Sequence, residues 1–244
     1  MEKLVLPENQ VDIWEIHLEA PPDEIQHCRR LLAQDEIERA DRFHFEKHRR
    51  RFTLARAAMR QILGRYIHAA PGDVVFSYGH RGKPALAGTH GRSIQFNLSH
   101  SENIALLAVA EGMILGIDIE FINPEFATED IAKRFFSPVE TQCLMALRPQ
   151  ERAEAFFCCW TRKESYIKAL GDGLSVPLDS FEVAFAPGAP AALLRVRADP
   201  REVMRWSMYD LDTAGGYRAA LVAEGSGHHL RRLLWPPSQM SASI

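Results

Sequence analysis

The stretch Leu106-Leu-Ala-Val-Ala-Glu-Gly112 resembles a second one, Ala219-Ala-Leu-Val-Ala-Glu-Gly225. Each follows a strand candidate and a short polar turn, and each has a long helical pattern upstream. Read as a duplication, the pair predicts two similar α+β halves, each a small, mostly antiparallel sheet packed with a long helix. A seven-residue match is short, and coincidence is the competing reading. If the duplication holds, the carboxylates Asp118 and Glu120 lie near the junction, where a cleft between halves forms.

The composition suits such a core. The chain has 244 residues, 46 % hydrophobic and 25 % charged, as in an ordinary globular protein. A net charge of -3 leaves no global footprint for nucleic acid. No run of about 18 apolar residues predicts a membrane span, and the first residues lack the apolar region of a secretory signal. Cys28, Cys143, Cys158 and Cys159 show no paired zinc spacing. A reducing cytoplasm is the expected compartment. The expected organisation is a first half over residues 1–115, a second over 116–224, and a loosely held, turn-rich tail over 225–244.

Outward from the repeat, Val11 to Leu18 alternates as a half-buried strand does. Short helices are expected over about 23–30 and 34–43, then a long one over about 47–66. Arg49, Arg50, Arg51, Arg56 and Arg60 decorate that helix, and a solvated basic face is the default for most of them. Gly82-Lys-Pro84 closes a loop that reads by itself as a turn. Residues 94–101 and 104–110 read as a hairpin with Ser99 and His100 at its mouth. Ser99-His100 is no catalytic dyad, because successive strand residues face opposite ways. Thr128 caps one helix, and Ser137 before Pro138 caps another. Strand candidates follow at 180–185, 192–196, 206–211 and 217–223.

Two stretches carry chemistry. Met113-Ile-Leu-Gly-Ile-Asp-Ile-Glu120 is a buried strand with two carboxylates on one side, about 7 Å apart. Such a pair repels and loses hydration, and a hard divalent cation is an economical compensation. The alternative is a strand fraying into a solvated loop at Phe121-Ile-Asn-Pro124. Trp160-Thr-Arg-Lys-Glu-Ser-Tyr-Ile-Lys168 is a helix whose apolar stripe (Phe156, Trp160, Ile167, Leu170) contains Lys163 and is edged by Glu164 and Lys168. Charges so placed suggest a helix lining a wet cleft. The alternative is a surface Glu-Lys pair at i,i+4.

Taken in order and spacing, Phe96-Asn-Leu-Ser-His-Ser101, Gly116-Ile-Asp-Ile-Glu120 and Trp160 to Lys168 resemble the 4'-phosphopantetheinyl transferase superfamily, in its long, Sfp-type class. Gly82-Lys-Pro84, Phe135 to Glu140 and Gly173 to Phe181 also fit that layout, so the resemblance spans roughly residues 11–223. It implies two pseudo-symmetric α+β halves with the active site at their junction. It implies an enzyme that moves 4'-phosphopantetheine from coenzyme A to a serine of an apo acyl or peptidyl carrier protein, releasing adenosine 3',5'-bisphosphate. By matching position, Asp118, Glu120 and Glu164 would hold Mg²⁺, with Mn²⁺ as a substitute. Glu164 or Glu120 would take the serine proton, and Lys168 would neutralise the pyrophosphate. Arg51 and His100 match residues that hold the 3'-phosphate; Lys83, Pro84 and Ser99 match the adenine and phosphate loop. Lys163 either assists at the coenzyme or is structural, and Trp160 is expected to pack. Lysines that some relatives carry before the long basic helix are replaced by Asp35 to Arg42. The resemblance places the carrier's acidic helix near residues 137–150 and favours a monomer. Two other readings compete: a different Mg²⁺-dependent phosphoryl-transfer enzyme, and a non-catalytic coenzyme A or carrier-protein binding module.

Overall fold

A computed structural model describes residues 4–79, 82–88, 93–171 and 176–235. His80, Arg81 and part of the 173–181 motif lie outside them. The described chain runs β1 (Gln10–His17), α1 (Pro22–Arg29), α2 (Gln34–Asp41), α3 (Glu46–Ile67), β2 (Phe76–Tyr78), β3 (Pro84–Leu86), β4 (Ile94–Ser101) and β5 (Ile104–Glu111). It continues as β6 (Leu115–Phe121), α4 (Glu129–Phe135), α5 (Pro138–Ala146), α6 (Pro149–Leu170), β7 (Phe181–Val183), β8 (Leu193–Val196), α7 (Glu202–Arg205), β9 (Trp206–Asp210), β10 (Tyr217–Glu224) and β11 (His229–Trp235).

The duplication is real in the fold. Each half runs strand, two short helices, a 22-residue helix, a two-stranded ribbon and a hairpin. The two repeated stretches lie in the central strands: β5 sits between β1 and β4, and β10 sits between β6 and β9. All four pairings are antiparallel. Gly112 and Gly225 follow those strands with φ of 67° and 90°, a left-handed turn that glycine adopts without a Cβ penalty.

Strand alternation builds three apolar layers. Leu107 and Val109 of β5 pack with Leu54, Met59 and Ile62 of α3. Leu106 and Ala108 on the opposite face join Ile117 and Ile119 of β6 and Leu221 of β10, gluing the halves together. Val222 of β10 packs with Phe156 and Ile167 of α6. Burial on both faces is why β5 reads as a continuous apolar run.

Expected caps are present. Thr128 accepts a hydrogen bond from Ile131 N, and Ser137 and Glu140 form a reciprocal capping box. Gly171 closes α6 in the left-handed conformation.

The structure corrects two expectations. The tail is not loose over 229–235: β11 pairs in parallel with β1 along seven residues, from Gln10↔His229 to Ile16↔Trp235. Nor is the arginine face of α3 solvated throughout. Arg51, Arg56 and Arg60 are buried, and Arg56 and Arg60 both bond Glu36, the latter at 2.5 Å. Glu36 lies on α2, so two turns of α3 carry the partners of one distant carboxylate.

Candidate active site

Gly116 sets the distance between β6 and α6. A Cβ there would stand 2.8 Å from the Lys168 carbonyl carbon and closer still to Ser165 O and Ala169 N. With hydrogen in its place, the last turns of α6 lie directly on β6. Alternation then directs Gly116, Asp118 and Glu120 toward the helix and Ile117 and Ile119 into the junction core. Asp118 and Glu120 of the second half therefore meet Glu164 and Lys168 of α6.

The first half contributes β4, which abuts the free edge of β6 through side chains instead of a backbone ladder. Asn97 Oδ1 accepts from Ile117 N at 2.9 Å. Ser99 Oγ donates to Asp118 Oδ1 at 2.8 Å, and Ser101 Oγ donates to Glu120 Oε2 at 2.8 Å while accepting from Phe121 N. These are alternate residues on one face of a strand, so one row of polar groups orients both carboxylates. Sequence reading passed over Asn97 and Ser101; the available signal was the period-two polar row inside the motif.

Lys168 Nζ donates to Asp118 Oδ1 at 2.6 Å and to Ser99 Oγ at 2.8 Å. Asp118 is buried, and its second oxygen, Oδ2, has no hydrogen-bond partner among the described residues. Burial and then the Asp118 charge raise the Glu120 carboxyl to about 7, against the Ser101 hydrogen bond and Lys168. Burial and Asp118 likewise raise Glu164, and Lys168 opposes the shift.

An orphaned buried carboxylate oxygen beside two carboxyls that resist ionisation fits a cation. Among the described residues no three His, Cys, Asp or Glu side chains form a ready metal cage. The donor set instead suits an ion that brings water and phosphate oxygens of its own, the habit of Mg²⁺.

In metal-free protein, a Glu120 raised from 4.5 to about 7 keeps its proton in the native state while the unfolded chain has already lost it. Stability should therefore fall as pH rises from 4.5 to about 7 and level off above. Urea titrations should show a steeper fall in the native protein than in Glu120→Gln, where Glu164 still contributes. An identical slope in both would reject the assignment.

A cationic cluster stands beside the carboxylates. Arg51 Nη2 donates to Glu102 at 2.8 Å and to the Asn103 side chain, and Lys47 reaches the same Glu102 at 3.1 Å. His100 is exposed, yet the protein around it removes part of its hydration. That loss, then the charges of Lys168, Arg51 and His48, holds it below the ordinary histidine value. Lys83 Nζ bonds the carbonyl oxygens of Lys168 at 2.6 Å and Leu115 at 3.4 Å, so it straps a loop of the first half to the second. Burial lowers it to about 8. Lys83, Pro84, Asn97 and Lys168 line a cavity of about 230 Å³.

One residue of the α6 motif, Lys163, is not in the cleft. Lys163, expected at the coenzyme or in the scaffold, is scaffold. It is fully buried and bonds Glu140 and the carbonyls of Leu178 and Phe181 at 2.8, 2.8 and 2.5 Å. Glu140 also accepts from Ser137 N and Val183 N, so one carboxylate ties α5, α6 and β7 together. Lys163→Met strands that carboxylate and should cost about 3–5 kcal/mol in urea unfolding. The double variant Glu140→Gln/Lys163→Met should recover part of the loss. A single variant as stable as the native protein would refute the assignment. Trp160 packs as expected, stacked on Phe156 at 5.8 Å and edge-on to Phe126 and Phe135.

Fold and site together define a centre at the junction of two duplicated halves, lined by the carboxylates Asp118 and Glu120 and by Lys168. The profile of the 4'-phosphopantetheinyl transferase superfamily matches residues 114–222, and that of the 4'-phosphopantetheinyl transferase N-terminal region matches 18–112. The chain is 41 % identical to the 4'-phosphopantetheinyl transferase HetI of a Nostoc strain over 225 residues, covering 92 % of each. It is 33 % identical to the 4'-phosphopantetheinyl transferase Sfp of Bacillus subtilis over 173 residues, 70 % of this chain and 75 % of the relative. Among solved structures, holo-[acyl-carrier-protein] synthase of Thermotoga maritima aligns at a TM-score of 0.38 and 21 % identity, covering 47 % of this chain and 65 % of that one. The chain belongs to the 4'-phosphopantetheinyl transferase superfamily. It is an enzyme of the transferase class.

Proposed function

We propose that this enzyme transfers 4'-phosphopantetheine from coenzyme A to a serine hydroxyl of an apo acyl or peptidyl carrier protein. The observation that carries the reading is Asp118, with one oxygen bonded by Lys168 and Ser99 and the other buried without a partner, beside two carboxyls of raised pKa.

Asp118, Glu120 and Glu164 would hold Mg²⁺, which supplies charge neutralisation across the pyrophosphate when bound. Lys168 meets the charge that develops on the leaving phosphate. Arg51 and His100 bind the 3'-phosphate, and Ser99, Lys83 and Pro84 shape the adenine and phosphate side. The serine oxygen bonds to the β-phosphorus as the bond from that phosphorus to the bridging oxygen breaks. The serine proton passes to Glu164 or Glu120, and adenosine 3',5'-bisphosphate leaves with the electron pair.

A groove of about 710 Å³ opens from Glu120 between Phe121, Phe126, Trp160 and Tyr217 and gives the serine loop an approach. Val139, exposed on α5, borders a small apolar pocket with Cys143 and Leu147 that suits the carrier's helix. Two fused halves make a monomer self-sufficient. The four cysteines are free, which fits a reducing cytoplasm, and no helix among the described residues is long and apolar enough to cross a membrane.

The test is to incubate the protein with coenzyme A, Mg²⁺ and apo carrier proteins and weigh the carriers. A gain of one phosphopantetheine is the expected result. No gain with any of several carriers would sink the proposal. Cleavage of coenzyme A without a carrier would favour a different phosphoryl-transfer enzyme.

A further inference from the structure

Superposing the two registers through the repeated central strands gives a residue-by-residue correspondence between the halves. Leu107 of β5 faces Trp14, and its counterpart Ala220 of β10 faces Asp118; Ala105 faces Ile16, and its counterpart Arg218 faces Glu120. Val109 faces Asp12, where Val222 faces Gly116. The two long helices, equal in length and each closed by a left-handed residue, His68 or Gly171, align end to end. That alignment sets Gln61 opposite Glu164, Arg65 opposite Lys168 and Arg60 opposite Lys163. The last match checks itself. Arg60 bonds Glu36 as Lys163 bonds Glu140, and both glutamates occupy the third position of their helices, bonding back to the residue before the first turn.

The first half is thus a site-less copy. Trp14, Ile16 and Gln61 stand where the second half carries Asp118, Glu120 and Glu164. The difference extends to the strand edge. In the second half, the edge of β6 that β10 leaves free is the one β4 fills, through bonds to Ile117 N and Phe121 N. The same edge of β1 corresponds to an interface for another half. It is filled by β11, which has no counterpart in the repeat.

Three residues lock it there. Arg231 bonds both oxygens of the fully buried Asp12, at 2.8 and 2.6 Å. Trp235 Nε1 donates to Gln61 Oε1 at 2.8 Å, on the residue that matches Glu164. Arg232 bonds Glu15 at 3.0 Å and the Asp212 carbonyl, closing the strand against the second half.

We propose that β11 is an internal cap on the edge of β1, and that the partner it excludes is a second copy of this chain, docking edge to edge through β1. An uncapped strand edge of seven residues is a template for pairing. Because both copies offer the same edge, an antiparallel β1–β1 contact closes as a two-fold dimer. None of the candidate site residues lies in the β1–β11 pairing.

The test compares the full chain with a chain ending at Gly227, by sedimentation velocity across a hundredfold range of concentration. Truncation also strands the Asp12 charge, so the same truncation carrying Asp12→Asn is run beside it. The full chain should sediment as a monomer throughout. Both truncated chains should fold, by circular dichroism, and move to a dimer as concentration rises. Adding a peptide of residues 228–235 should return them to monomer. Folded truncated chains that stay monomeric would overturn the proposal. So would failure of both to fold, which would make β11 part of the core, and so would a dimer that the peptide leaves unchanged.

Discussion

Glu164→Gln should lower turnover of carrier protein by about 10²- to 10⁴-fold, the range for a lost proton acceptor, with no loss of stability. The substitution keeps the shape of the side chain and removes one of three neighbouring negative charges. Burial and Asp118 already hold the Glu164 carboxyl above its usual range, so the native fold bears a cost for ionising it that glutamine does not. Asp118 keeps its bonds from Lys168 and Ser99. The decisive measurement pairs holo-carrier formation with a urea midpoint. Activity within threefold of native would remove Glu164 from both the metal and base roles. Lost activity with a lowered midpoint would recast it as structural. Lys163→Met provides the contrast, because its effect should lie in stability and not in turnover per folded molecule.

Gly116→Ala should be the most damaging single methyl in the second half. The added carbon meets backbone atoms of α6, and these cannot swing aside as a flexible side chain would. Overpacking of this kind costs about 3 kcal/mol or more. Relief requires α6 to lift from β6, which moves Glu164 and Lys168 away from Asp118, so activity of the folded fraction should fall as well. Gly72→Ala is the control, since a Cβ there meets nothing within 4 Å. A Gly116→Ala protein with native midpoint and native turnover would show that the helix–strand spacing is not what assembles the site.

Much of this is legible in the sequence. Alternation over Met113 to Glu120 places Asp118 and Glu120 on one side, and helical spacing puts Glu164 one turn from Lys168. Capping residues marked the starts of α4 and α5. These are local signals, carried by neighbours in the chain. Lys163 and the α3 arginines were not legible in the same way. A charge in an apolar stripe reads as wet until its partner is known, and the partners, Glu140 and Glu36, lie 23 and 20–24 residues away on other helices. The strand β11 was missed because its pairing partner is at the opposite end of the chain.

By itself the sequence determined the periods of strand and helix and the set of ionisable groups, because these depend on residue type and spacing alone; it offered the duplication as one of two readings, which the repeated order of elements then decided. Tertiary structure decided which charges are buried and paired, how β4 of the first half orients the carboxylates of the second, and what covers the edge of β1. Those outcomes depend on which surfaces come into contact. Contact between Gly116 and α6, β4 and β6, or β11 and β1 exists only once distant segments have packed.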